Sequence, residues 1–162
     1  MSETEAEKGQ RAYREYVVPL ILSLSQGVTS DDEWSARYRR LPERPRQLVA
    51  CAKAFADVPN GGFEQYFRNS FGDSARDAMS GFKWLGRLEL GEAVSDAISL
   101  LGIDSVEDRH ARRSALEILE KSGVDLGDYF DPATTRFLLG YDDGRELRVQ
   151  FGLAALREGL CP

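Results

Sequence analysis

The sequence predicts an all-α protein, a single-domain multi-helix array built around a central helical hairpin. Three observations predict it. Apolar residues recur at three- and four-residue spacing in successive blocks, which is the repeat of one buried helix face. Gly86, Gly102 and Gly123 each follow such a block, where a left-handed residue ends a helix. Only residues 147–151, Leu-Arg-Val-Gln-Phe, alternate as a strand does, and a strand without a partner is no sheet, so a helix is expected there too.

Taken in order, residues 10–25 carry Tyr13, Tyr16, Val17, Leu20, Ile21 and Leu24 on one face, with a kink expected at Pro19 because it lacks a backbone N–H. Thr29 or Ser30 is placed to cap a short helix bearing Trp34 and Tyr38. Pro42 and Pro45 punctuate an arginine-rich connection before a third helix with Leu48, Val49, Ala52, Phe55 and Ala56, which Pro59-Asn60-Gly61-Gly62 is expected to stop. Helices over 62–70 and 74–85 then form the hairpin. The set Leu90, Ala93, Val94, Ala97, Ile98 and Leu101 marks a sixth helix. Ser105 is expected to cap a seventh, with Ala111, Ala115, Ile118 and Leu119 buried and His110, Arg113, Glu117 and Glu120 outside. Asp131-Pro132 suits the start of an eighth, and 145–160 the last.

The chain has 162 residues, a length that fits one domain over 1–162. Apolar residues make up 42% and charged residues 30%, enough for a core and against disorder. No apolar run reaches the ~18–20 residues that span a bilayer, and residues 1–10 are acidic and polar rather than a signal peptide, so no membrane association and a cytoplasmic location are expected. Cys51 reads as core and Cys161 as incidental, since neither CxxC nor a nearby His completes a metal site. No metal and no cofactor are expected. His110 is the only histidine, and GxSxG, Walker-loop and HExxH patterns are absent, so the chain is read as no enzyme.

The most specific segment is residues 60–73, NGGFEQYFRNSFGD. On a helix beginning near Gly62, Phe63, Tyr66, Phe67 and Phe71 share a face that must be core. Gln65 and Asn69 stand one turn apart beside Tyr66, with polar groups suited to neighbouring backbone, and Asp73 is placed to cap the following helix. As a whole the segment reads as a structural bracket rather than a ligand site.

These residues resemble the signature of the bacterial DNA-mimic protein family, grouped with domains of unknown function. Asn60, Gly61, Gly62, Phe63, Gln65, Tyr66, Phe67, Asn69, Ser70, Gly72 and Asp73 match in order. The family-like region spans about 40–105, where Leu85-Gly86-Arg87 replaces the usual Ile-Gly-Ala, and both ends are unmatched. The resemblance implies an all-α fold, a homodimer, no catalytic residues and, in some members, an acidic surface that occupies the DNA site of another protein.

The charge map bears on that implication. The 27 acids outnumber 21 Lys and Arg, for a net charge of −6 that disfavours bulk attraction to nucleic acid. Between residues 88 and 108 lie Glu89, Glu92, Asp96, Asp104, Glu107 and Asp108 with no Lys or Arg. These six are the candidate partner-binding surface, and the partner they fit is a basic nucleic-acid-binding protein. Glu89, Glu92 and Asp96 fall at i, i+3 and i+7, a stripe whose like charges repel by a few tenths of a kcal/mol per pair. A plain reading competes: acids in a first helical turn stabilise it by ~0.3–1 kcal/mol each with no partner. Asp125, Asp128, Asp131, Asp142 and Asp143 form a second, loop-borne acidic group.

Two alternatives stay open. Arg37, Arg39, Arg40, Arg44 and Arg46, beside Trp34 and Tyr38, are what a direct nucleic-acid groove uses, although they equally suit pairing with acids of the same fold or of a dimer partner. Arg109, Arg112 and Arg113 make a similar basic turn, expected to be exposed. An immunity or inhibitor protein against a toxin or nuclease would share the acidic surface.

Overall fold

The computed structural model describes residues 2–141 and 144–161; Asp142 and Asp143 of the loop-borne acidic group lie outside the described residues. Its regular structure is helical, with no strand among the described residues, and the fold is an all-α multi-helix array. The backbone falls into two compact units, Met1–Val49 with Asp142–Pro162, and Ala50–Tyr141.

In the first unit, α1 (Glu5–Ala12) starts earlier than its apolar pattern does, because Thr4 and Glu7 close a reciprocal capping box. It runs through a π turn, Tyr13–Val17, into α2 (Val18–Ser25). The π turn sits immediately before Pro19, so the register change forced by the missing donor is absorbed in the wider turn. Ser30 caps α3 (Asp31–Arg39) by accepting from the Glu33 N–H. The helix α9 (Arg145–Arg157) packs along α1, and the Tyr13 and Phe151 rings meet at 6.2 Å. Residues 147–151 therefore lie within a helix, as expected.

Helix α4 (Glu43–Arg68) leads into the second unit and bends where the sequence places its stop. Gly62 takes φ 67° and ψ −172°, a conformation open only to glycine, so one helical stretch stops here and a second begins, as the sequence places them. The Phe63 N–H donates to the Thr134 hydroxyl at 3.2 Å, so the resumed helix receives its cap from a residue 71 positions away. A 3₁₀ turn, Ser70–Ser74, precedes α5 (Ala75–Trp84), and α6 (Leu88–Leu101) packs on α5 and on α8 (Leu126–Tyr141). The core of this unit is aromatic. Phe63 contacts Phe137 edge-on at 5.7 Å, Phe82 does the same, and Phe67 lies 5.7 Å from Phe130, all fully or almost fully buried.

Helix α7 (Arg109–Lys121) corrects three expectations. Its cap is Asp108, not Ser105: an ionised carboxylate, accepting from the His110 and Ala111 N–H groups at 2.8 and 3.1 Å, fits the positive helix end better than a hydroxyl. Its buried side is Arg112, Ala115 and Leu116, leaving Ile118 exposed, because the Arg112 guanidinium finds acceptors inside. The expected exposed basic turn therefore loses its central member. Helix α8 begins at Leu126, where Asp125 accepts from the Asp128 N–H at 3.1 Å, so Pro132 falls inside the helix rather than at its start.

Candidate functional site

The six acids between residues 88 and 108 belong to one unit and are all exposed. Helix α6 buries Leu90, Ala93, Val94, Ala97, Ile98 and Leu101, the set its periodicity predicts, and this rotation turns Glu89, Glu92 and Asp96 to solvent. A rise of ~1.5 Å per residue spaces their α-carbons by ~4.5 and ~6 Å along the axis, a sparser row than the ~3.4 Å per phosphate of one DNA strand. Asp104, Glu107 and Asp108 lie on the connection between α6 and α7.

The stripe is free of cations in sequence but not in space. Arg87, one residue before α6, donates to Glu89 at 2.7 Å and also bonds the Gly140 carbonyl. Burial is the largest single influence on the Glu89 carboxyl and pushes it up, but the Arg87 hydrogen bond, a backbone hydrogen bond and the Arg87 charge together outweigh it and leave the group below its ordinary range. Arg136, from the middle of α8, reaches across to α6: one terminal nitrogen donates to Asp96 at 2.7 Å and the other bonds Glu92. Arg76 on α5 pairs with Glu107 at 2.8 Å and donates to the Asp104 carbonyl at 2.6 Å. Asp108 is engaged as the α7 cap. Three arginines thus meet four of the six carboxylates, Glu89, Glu92, Asp96 and Glu107. The unit as a whole holds 15 Asp and Glu against 10 Lys and Arg, a net −5 out of the chain's −6.

The motif of residues 60–73 is organised around two carboxylates. Asp57, buried on α4, accepts from Gln65 at 2.9 Å and from both sides of its carboxylate by Asn69 at 3.2 and 2.9 Å, so the two amides bond a side chain and not the neighbouring backbone. The Lys53 ammonium rests 4.3 Å over the Phe71 ring, and burial draws its pKa down against the pull of Asp57. Asn60 donates to the Ala56 carbonyl at 2.6 Å and ties off the first half of α4 at Gly61.

Asp73 does not cap α5; the cap position is Ser74, whose side chain makes no capping bond to the helix. Instead it accepts from Arg112 at 2.6 Å and from Arg109 at 2.8 Å. Arg112 is 0% exposed and also donates to the carbonyls of Phe67, Val106 and Asn69. Its charge thereby satisfies the free carbonyls where α4 ends and the loop before α7. Gly72 makes room for it: a Cβ there would sit 2.7 Å from Arg112 Nε and 2.9 Å from the Tyr66 carbonyl oxygen. Tyr66 is fully buried among these groups, which pushes its phenol well up. Ser70 opens the 3₁₀ turn and Ser74 donates to the Phe71 carbonyl at 2.7 Å.

A match with the model of the DMP19-like proteins runs over residues 39–157, from the end of α3 through α9. The chain belongs to this family. It is the DNA-mimic family that residues 60–73 resemble, and the match extends the family-like region past residue 105 to include α7, α8 and Arg136. No curated protein and no solved structure matches the chain. The family region holds both carboxylate-centred brackets, together with partners that the motif did not reveal: Asp57, Arg112, Thr134 and Arg136. Asp57 and Thr134 carry no sequence signal by themselves. Arg112 breaks the apolar repeat of α7 at the position that its neighbours Ala115 and Leu116 mark as inward, and that anomaly is the readable trace.

In the first unit, Arg37 donates to Glu33 at 2.8 Å and to the Gln26 carbonyl at 2.7 Å, and Arg44 to Gln47 at 2.8 Å. Trp34 and Tyr38 stack on each other at 5.2 Å and are buried, so their faces are not open to bases. Arg39 and Arg40 are exposed, and Arg46 is half-buried. Among the described residues, no cluster of three or more His, Cys, Asp or Glu is arranged to hold a metal, and no helix is long and apolar enough to cross a membrane. Cys51 is buried, with its thiol pushed well up by desolvation, and its Sγ lies 3.5 Å from the Ala78 carbonyl.

Proposed function

We propose that the protein is a non-enzymatic binding module whose acidic stripe, Glu89, Glu92, Asp96, Asp104, Glu107 and Asp108, occupies the nucleic-acid site of a basic DNA-binding protein. Six exposed carboxylates on one helix and the turn after it, in the unit that carries most of the negative charge, are the observation that supports this reading. A protein site built for phosphates offers Lys and Arg, and it gains most from carboxylates held in place, because ordered charges lose little freedom on binding. A backbone-fixed helix and the Arg87 contact to Glu89 supply that order. We place the module in the cytoplasm as a homodimer.

The test is competitive. The full chain, immobilised, should retain a DNA-binding protein that free duplex DNA displaces, and Glu92→Lys with Asp96→Lys should abolish retention while the circular dichroism spectrum is unchanged. Equal retention by the doubly reversed variant overturns the assignment of the stripe. Direct nucleic-acid binding through Arg39 and Arg40, which are exposed at the end of α3 and just beyond it, is the second reading. It predicts a low-salt gel shift by the chain alone, removed by replacing those two arginines with Ala. Retention of a single toxin or nuclease instead of a DNA-binding protein would mark an immunity role.

A further inference from the structure

We infer that Arg136 is a built-in competitor for the acidic stripe, and that the partner face able to displace it presents arginine rather than lysine. This rests on the reading of the stripe as the docking surface. Glu92 and Asp96 stand four residues apart on α6, so their carboxylates project from successive turns on one side of the helix. One planar guanidinium already spans them, each terminal nitrogen of its fork on a different carboxylate. That two-point geometry suits a fork and not the compact ammonium of a lysine.

The contact is also built to open. Arg136, Glu92 and Asp96 side chains are 45%, 51% and 55% exposed, and ion pairs in water at that level of exposure are weakly held. The two carboxylates are the side-chain partners of Arg136 among the described residues, so its departure strands no buried donor. Arg87, by contrast, is also held on the Gly140 carbonyl, and Arg112 is sealed inside; neither is free to yield. A partner arginine entering the stripe exchanges one guanidinium for another, and Arg136 swings into solvent. The stripe is thereby masked against single cations and opens to a surface that brings several at once.

The probes are fluorescein-labelled nona-arginine and nona-lysine, titrated into the full chain at low salt and followed by fluorescence anisotropy. The wild-type chain should bind nona-arginine more tightly than nona-lysine. Arg136→Ala should tighten nona-arginine binding by about three- to tenfold, the equivalent of removing one weak competing ion pair. Lys121→Ala, which takes the same charge from an exposed site of the same unit, should change it less than twofold. Arg136→Lys keeps the charge, loses the fork and should also tighten binding, which covers the case in which the alanine variant folds poorly. Equal effects of Arg136→Ala and Lys121→Ala, or no gain with Arg136→Lys, overturn the competitor. If Glu92→Gln with Asp96→Asn still abolishes peptide binding, the stripe survives that failure; if those changes leave peptide binding intact, the stripe itself falls.

Discussion

Arg112 and Arg136 are the same residue type in the same unit, each seated on carboxylates contributed by another element, and they differ in almost everything else. Arg112 is wholly enclosed and makes bonds to three carbonyls besides Asp73. Arg136 lies half in water, with Glu92 and Asp96 as its side-chain partners among the described residues. Taking either partner from a buried pair leaves a charge without solvent or counterion, whereas water readily replaces a lost partner at the surface. The first pair therefore holds the fold together, and the second is available for exchange. Distance does not separate them, since both are close contacts; burial and the number of other acceptors do.

The contrast can be broken most severely at Asp73. Replacing it with Ala leaves Arg112 buried and short of its counter-charge, and chemical denaturation should show a loss of ~3–5 kcal/mol. A loss under ~1 kcal/mol, the range of an exposed pair, would erase the distinction between the two arginines. An intermediate effect is expected at Asp108, one of the six stripe acids, which spends its carboxylate on the α7 N-terminus: Asp108→Ala should cost ~1 kcal/mol in the same measurement. The smallest effect belongs to the exposed pair. Glu92→Gln with Asp96→Asn should shift stability by no more than ~1 kcal/mol in either direction, because the ion pairs lost are solvent-screened and the like-charge repulsion along α6 is relieved at once. A large loss there would move Arg136 into the structural class with Arg112.

The same contrast explains what the sequence could and could not reveal. Helix α6 was fully legible: its apolar set is the buried set, and its acids are exposed, since a single helix obeys its own period. The central bend at Gly61 and Gly62 and the capping by Ser30 were legible for the same reason, as each depends on residues a few positions apart. What the sequence concealed is every partner brought in from afar. A window of 21 residues without a cation looks bare, yet Arg76 reaches Glu107 from 31 positions away, and Arg136 reaches Asp96 and Glu92 from 40 and 44. Arg87 lay one residue outside the window and was readable. Asp73 shows the complementary error: its place before a helix favours a cap, but two guanidiniums compete for the carboxylate and win, because charge-assisted bonds outrank a bond to a neutral backbone N–H. Burial of Trp34 and Tyr38 likewise could not be told from the interleaving of aromatics with arginines, which looks alike on a groove and over a core.

The central claim is that the α6 carboxylates remain accessible to an incoming cation although Arg136 touches them. Carboxyl carbon resonances of Glu92 and Asp96, followed by nuclear magnetic resonance as nona-arginine is added at low salt, test it most directly. Saturable shifts centred on those two residues, reversed when the salt concentration is raised, are the predicted result. Shifts confined to other acids of the unit, such as Asp128 and Asp131, with Glu92 and Asp96 unmoved, would contradict it.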